Sequence, residues 1–132
     1  MNDAAVLQRF RPLFDPRGII VAGASSHPGK FGFVAAHNIL SHGYPGDVYL
    51  TNREGSEILG RQTLRDVDEV PEGSADLVFV CTPPATIPTL LRTCAAKGVR
   101  AAFVSSAGFG ETGADGKRAE LELAALCDDL GM

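Results

Sequence analysis

Four short stretches of the chain are apolar almost without interruption: GIIVAG at 18–23, DVYLT at 47–51, DLVFVCT at 76–82 and RAAFVS at 100–105. A strand with one wet face alternates apolar and polar residues, so unbroken runs predict strands buried on both faces, as in a parallel sheet. Between them the pattern lengthens to a helical period. Helices are predicted over Phe33–Ser41, Ala85–Lys97 and Asp115–Leu130, and Gly43, Gly98 and Gly131 lie just past them, where a left-handed residue closes a helix. The segment up to about Phe14 predicts a further short helix on the outside.

The stretch Leu59 to Pro71 fits neither pattern cleanly. It is read as a short edge strand over about Arg61–Leu64, followed by a stub of helix that ends before Pro71. The whole is α/β: a Rossmann-like, doubly wound parallel sheet of about five strands with helices on both faces and right-handed crossovers. The expected strand order is 3-2-1-4-5. A ligand crevice then opens where the first and fourth strands part.

Composition narrows this picture only a little. At 132 residues, with 45% hydrophobic and 21% charged, the chain is a single ordinary globular domain. A net charge of −4 argues against a nucleic-acid backbone as partner for the whole surface. Cys81, Cys94 and Cys127 are odd in number and form no C-x-x-C, so they read as packed thiols rather than as a disulfide framework or a zinc site. No apolar stretch approaches the ~18 residues that span a bilayer, and the cytoplasm is the expected location. No metal site is expected.

Candidate chemistry lies in the loops that leave the carboxyl ends of the strands. The first is Gly23-Ala24-Ser25-Ser26-His27-Pro28-Gly29-Lys30-Phe31-Gly32. It departs from G-x-G-x-x-G: a serine stands where the second glycine belongs, and a lysine is added. Small residues let backbone amides approach an anion, the serines add donors, the next helix presents its positive end and Lys30 supplies a point charge. A mere tight turn needs one or two glycines but neither the serines nor the lysine.

After the second strand come Asn52 and Arg53. An NAD site usually carries an acidic residue here, whereas arginine suits a phosphorylated ribose, so NADP or a 3′-phosphorylated adenosine is favoured; a solvated loop arginine is the other reading. After the fourth, Thr82-Pro83-Pro84 forms either a rigid exit into a helix or a flat apolar wall beside a ligand. After the fifth, Ser105 to Gly113 is a long glycine-rich loop whose backbone donors face the same crevice.

Together these segments resemble the CoA-binding domain of the NDP-forming (ADP-forming) acyl-CoA synthetases, relatives of the succinyl-CoA synthetase α-subunit. The likeness rests on VAGAS at 21–25, PGKFG at 28–32, HGYPG at 42–46, ILG at 58–60, DLVFV at 76–80, CTP at 81–83 and SAGFGETG at 106–113, and runs from about Leu13 to the end. It implies that coenzyme A lies across the first loop, against Gly23, Ala24, Ser25, Ser26, Gly29, Lys30, Phe31 and Gly32, with its phosphates near Ser25, Ser26, Lys30 and Phe31. Its adenosine end would rest by Asn52, Arg53, Thr82 and Pro83, and its thiol would point to Ser106, Ala107 and Gly108.

In such enzymes the phosphorylated histidine belongs to a following domain, so no catalytic residue is assigned here and His27, His37 and His42 are not put in its place. The final helix should hand over to a further strand, and the chain is therefore read as the amino-terminal part of a longer synthetase, inactive alone and partnered by downstream domains or a subunit. An open sheet edge leads us to expect some self-association. Two other functions remain open at this point: a CoA-sensing module of an acetyltransferase or a stand-alone CoA-binding protein, and an NADP-binding redox domain.

Overall fold

The computed structural model describes residues 2–132. In chain order, the helix α1 (Asp3–Phe14) leads into β1 (Ile19–Ala22), α2 (Phe31–Ser41) and β2 (Val48–Thr51). A small hairpin of β3 (Glu57–Ile58) and β4 (Arg61–Gln62) follows. Then come β5 (Leu77–Val80), α3 (Ile87–Ala96), β6 (Ala101–Val104) and α4 (Ala114–Leu130). The main sheet has four parallel strands in the order β2-β1-β5-β6, with Ile19 opposite Val48 and Leu77, and Leu77 opposite Ala101.

Both faces of that sheet are covered, which explains the unbroken apolar runs. Along β1 and β5, Ile20, Ala22, Val78 and Val80 pack with Val67, Ile87, Leu91 and Cys94 on one side. On the other, Ile19, Val21 and Leu77 pack with Ala35, Ala36 and Leu50. Ile20, Val21, Val78 and Val80 are wholly buried, each worth about 1.5–3 kcal/mol against exposure. Gly43, Gly98 and Gly131 close α2, α3 and α4 with φ of 79°, 92° and 74°, the left-handed backbone expected of them.

The fifth strand is a correction. Arg61-Gln62 does not extend the sheet but folds back antiparallel on Glu57-Ile58 through Leu59 and Gly60, both of positive φ (52° and 74°). Such a two-residue turn follows the right-handed twist of its strands, and leucine accepts left-handed backbone only at a cost of about 1 kcal/mol. The chain then pairs with the parallel sheet through the single bridge of Leu64, whose N–H donates to Leu50 O at 2.9 Å and whose carbonyl accepts from Asn52 N at 2.8 Å. The expected place beside the second strand is thus kept, as one bridge instead of a strand. The helical stub is a 3-10 turn at Val67–Glu69, ahead of Pro71.

At the amino edge of the sheet a polar clasp ties the outer helix down. Asp76, just before β5, accepts from Arg11 Nη1 at 2.9 Å and from Arg17 N at 2.7 Å. Burial by itself would raise the Asp76 pKa, but the two arginine partners outweigh it and hold the carboxyl below its ordinary value. Tyr44 completes the clasp, its hydroxyl accepting from Gly18 N (2.7 Å) and donating to Pro16 O (2.8 Å). At the open side, β6 is the outer strand and α1 packs against it. There Phe103 stacks on Phe79 at 4.8 Å and stays half exposed. No described helix is long and apolar enough to cross a membrane.

Candidate functional site

The carboxyl ends of β1 and β5 diverge into a cleft of about 1280 Å³. Its first wall is built by glycine. Gly23 has φ of 84°, and a Cβ there would come within 2.8 Å of Cys81 O. At Gly32, in the first turn of α2, a Cβ would fall 2.0 Å from Gly23 O. The helix therefore starts against the backbone of β1, two residues earlier than the sequence predicts, and Phe31 and Gly32 belong to its first turn rather than to the loop.

This seam aims the positive end of α2 into the cleft. Lys30 occupies the N-cap without a side-chain hydrogen bond, no acidic residue lies in the first turn, and the amides of Phe31 and Gly32 have no backbone acceptor among the described residues. Ser25 accepts from His27 N at 3.0 Å, which fixes the loop and leaves its own O–H free to donate. Ser26, Gly29 and the exposed ring of Phe31 form the rim.

Asn52 is a strut between two loops. Its Nδ2 donates to Ala24 O and its Oδ1 accepts from Glu54 N, both at 2.9 Å, so it fixes the turn that carries Arg53. Arg53 is exposed at the cleft mouth. Across from it, Thr82 and Pro83 lead into a 3-10 turn at Pro84–Thr86 with proline at its start, and then into α3. Thr82 Oγ1 is buried and has no hydrogen-bond partner among the described residues. Ser106 donates to Thr82 O at 2.6 Å, and Ala107 lies beside it.

Of the residues predicted from sequence, Gly108 stands apart from this lining. Its N–H and that of Phe109 (3.0 Å) are taken by the Glu111 carboxylate, and a Cβ on Gly108 would meet Pro84 at 2.9 Å. Those donors, from Gly108 first, hold the Glu111 carboxyl below its usual range. The loop thus spends its donors on itself.

Sequence reasoning missed several lining residues: the cation Arg65, the carboxylate Asp66, and a run of α3-side threonines, Thr86, Thr89 and Thr93. The threonine spacing, three and four apart, was a signal in plain view. Cys81 also lines the cleft, 3.3 Å from Ser105 Oγ. Burial raises its thiol pKa, only partly countered by that hydrogen bond, so it is held as the neutral thiol rather than as a nucleophile. Cys94, in the core, is pushed up to about 12 by burial and then by Asp66. Among the described residues no group of three His, Cys, Asp or Glu side chains is placed to hold a metal.

The cleft therefore combines unspent amides, hydroxyls and three cations around a shape suited to an extended, phosphorylated ligand. A profile of the CoA binding domain matches residues 17–132. The chain belongs to the CoA-binding domain family. It is 36% identical over 124 residues to the α-subunit of the ADP-forming acetate–CoA ligase I of Pyrococcus furiosus, which covers 91% of this chain and 27% of that one. Against the α-subunit of ligase II of the same organism, identity is 39% over 119 residues, with 90% and 26% covered.

Among solved structures, the dinucleotide-forming acetyl-coenzyme A synthetase 1 of Ca. Korarchaeum cryptofilum, in complex with phosphate and ADP, superposes with a TM-score of 0.83 at 32% identity. The match covers 93% of this chain and 26% of that one. PH0766 from Pyrococcus horikoshii OT3 gives a TM-score of 0.82 at 34% identity, with 96% and 28% covered. This CoA-binding domain thus spans about a quarter of the length of the curated α-subunits it resembles.

Proposed function

We propose that this domain holds CoA for an ADP-forming acid–thiol ligase, in which a carboxylate, CoA and ATP are interconverted with acyl-CoA, ADP and phosphate through an acyl phosphate and a phosphohistidine. The observation that carries this reading is the uncapped start of α2, where free amides and Lys30 face the cleft, within a chain whose relatives are named as acetate–CoA ligase α-subunits. A helix N-terminus of this kind takes phosphate without a metal. The residues present fit CoA: cations and amides gather at one end, and the neutral hydroxyls of Ser105 and Ser106 lie at the other.

In this reading the phosphates lie near Ser25, Ser26, Lys30 and Phe31, the adenosine rests by Asn52, Arg53, Thr82 and Pro83, and the thiol points to Ser106 and Ala107. The domain's contribution is orientation: it fixes the thiol relative to an acyl group delivered by other parts of the ligase. Its part in this reading is positioning rather than acid–base work, and burial keeps Cys81 as the neutral thiol. The acid is selected outside this cleft, by downstream domains or a partner subunit.

Calorimetric titration with CoA, NAD and NADP tests the ligand. CoA should bind, more weakly as salt rises, with NAD inert. A preference for NADP would replace this reading with a redox one. A CoA-sensing role predicts the same binding but no exchange of acyl groups in the complete protein, so an acyl-CoA-forming assay on that protein separates the two.

A further inference from the structure

The reading of Arg61–Leu64 as an edge strand hid the most informative cation of the cleft. Because Leu64 bridges in parallel to the end of β2, residue 65 leaves the sheet at the same edge and in the same direction as residue 52. Arg65 thus emerges beside the turn that carries Arg53. That turn is closed by Gly55 N donating to Asn52 O at 2.9 Å, and Gly55 has φ of 65°. A Cβ on Gly55 would stand 3.2 Å from both Cγ and Nε of Arg65, so the stem of this exposed arginine runs alongside the glycine.

Two guanidinium groups are therefore set on neighbouring segments, Arg53 on the turn and Arg65 just past the Leu64 bridge, both lining the cleft. Among the described residues neither has a carboxylate within 4.0 Å. Of the acids nearby, two accept hydrogen bonds from backbone amides. Asp66 accepts from Asp68 N at 3.0 Å and caps the 3-10 turn, Glu69 accepts from the backbone N–H of Arg65 at 3.4 Å, and Glu54 is the one remaining carboxylate at this rim. Two unpaired, forked cations match a doubly charged phosphate monoester better than a diester, which carries one charge per phosphorus.

Resting on the reading that CoA occupies the cleft, we propose that Arg65 acts with Arg53 as a pincer for the 3′-phosphate monoester of CoA, and so sets the preference for CoA over its 3′-dephosphorylated form. The pyrophosphate is served separately by the α2 start and Lys30. Arg65 is a specificity-determining residue with no part in bond making.

The test is titration of the native chain, Arg65→Gln, Arg65→Lys and Arg53→Gln with CoA, 3′-dephospho-CoA and adenosine 3′,5′-bisphosphate. Circular dichroism checks that each variant, altered only at an exposed side chain, remains folded. Arg65→Gln should weaken CoA and the bisphosphate about tenfold or more, as expected for loss of a charge-assisted hydrogen bond, and leave 3′-dephospho-CoA within about twofold. Arg65→Lys should fall between, since it keeps the charge and loses the fork. Equal losses for CoA and 3′-dephospho-CoA would overturn the pincer in favour of a diffuse field, and so would unchanged CoA binding by Arg65→Gln. If the native chain binds none of the three ligands, the CoA reading itself fails and takes the pincer with it.

Discussion

The two ends of this sheet use the same residue type for opposite purposes. At the amino edge Arg11 and Arg17 converge on Asp76, and the backbone of Gly18 is held by Tyr44. At the carboxyl edge Lys30, Arg53 and Arg65 line the cleft with no ion pair among the described residues. Charge that is neutralised internally contributes to stability; charge left without a partner is available to a ligand and contributes little to the folded state. Substitutions at the two ends should therefore separate stability from affinity.

The largest effect is expected where that separation breaks down. Gly32→Ala would drive a Cβ into Gly23 O, so α2 must lift from β1. Denaturant unfolding should show a loss of about 3 kcal/mol, with CoA binding lost at the same time. A variant that kept both would refute the seam as the organiser of the cleft.

At the amino edge alone, Asp76→Ala should cost about 2 kcal/mol by leaving Arg11 and the Arg17 amide without their acceptor, and leave CoA affinity at neutral pH unchanged. The sign with pH follows from the depressed Asp76 pKa: its stabilisation is complete above the unfolded value of about 3.9 and is lost as pH falls through the lower folded value. Stability measured between about pH 5 and pH 2 should fall more steeply with pH in the native chain than in Asp76→Ala.

At the carboxyl edge the pattern should invert. Lys30→Ala should weaken CoA about tenfold while shifting the unfolding midpoint little, whereas Ser106→Ala, whose hydroxyl serves Thr82 O, should change affinity less than Lys30→Ala does. Equal effects in calorimetry would erase the contrast between a charged and a neutral bank. The smallest effect runs the other way. Thr82→Val removes an orphan buried hydroxyl and should raise the stability of the ligand-free chain by about 1 kcal/mol, read from the same unfolding curves.

Much of this was legible in the chain. Runs such as Leu77-Val78-Phe79-Val80 announced strands covered on both faces, because nothing in them could face water, and Gly43, Gly98 and Gly131 marked helix ends that only left-handed backbone completes. The loop after β1 stood out because Ser26 and Lys30 go beyond what a tight turn needs, and the structure sets it along the cleft. The hairpin was not readable: Leu59 takes a positive φ that leucine does not advertise, and the apolar content of Leu64 resembles that of a strand. Arg65 was missed for the same reason. Gly108 stands outside the lining, its amide taken by Glu111, a contact that the spacing permits but does not announce.

The seam between Gly23 and Gly32 has a further consequence in time. Because the loop is seated where helix meets sheet, the amide of Ala24, bonded to Thr51 O at 2.9 Å, should exchange with solvent deuterium among the slowest of the domain. The amides of Gly108 and Phe109, held by one exposed carboxylate, exchange through local excursions. One bank of the cleft should then keep time with the opening of the fold, and the other with the far faster excursions of a surface loop.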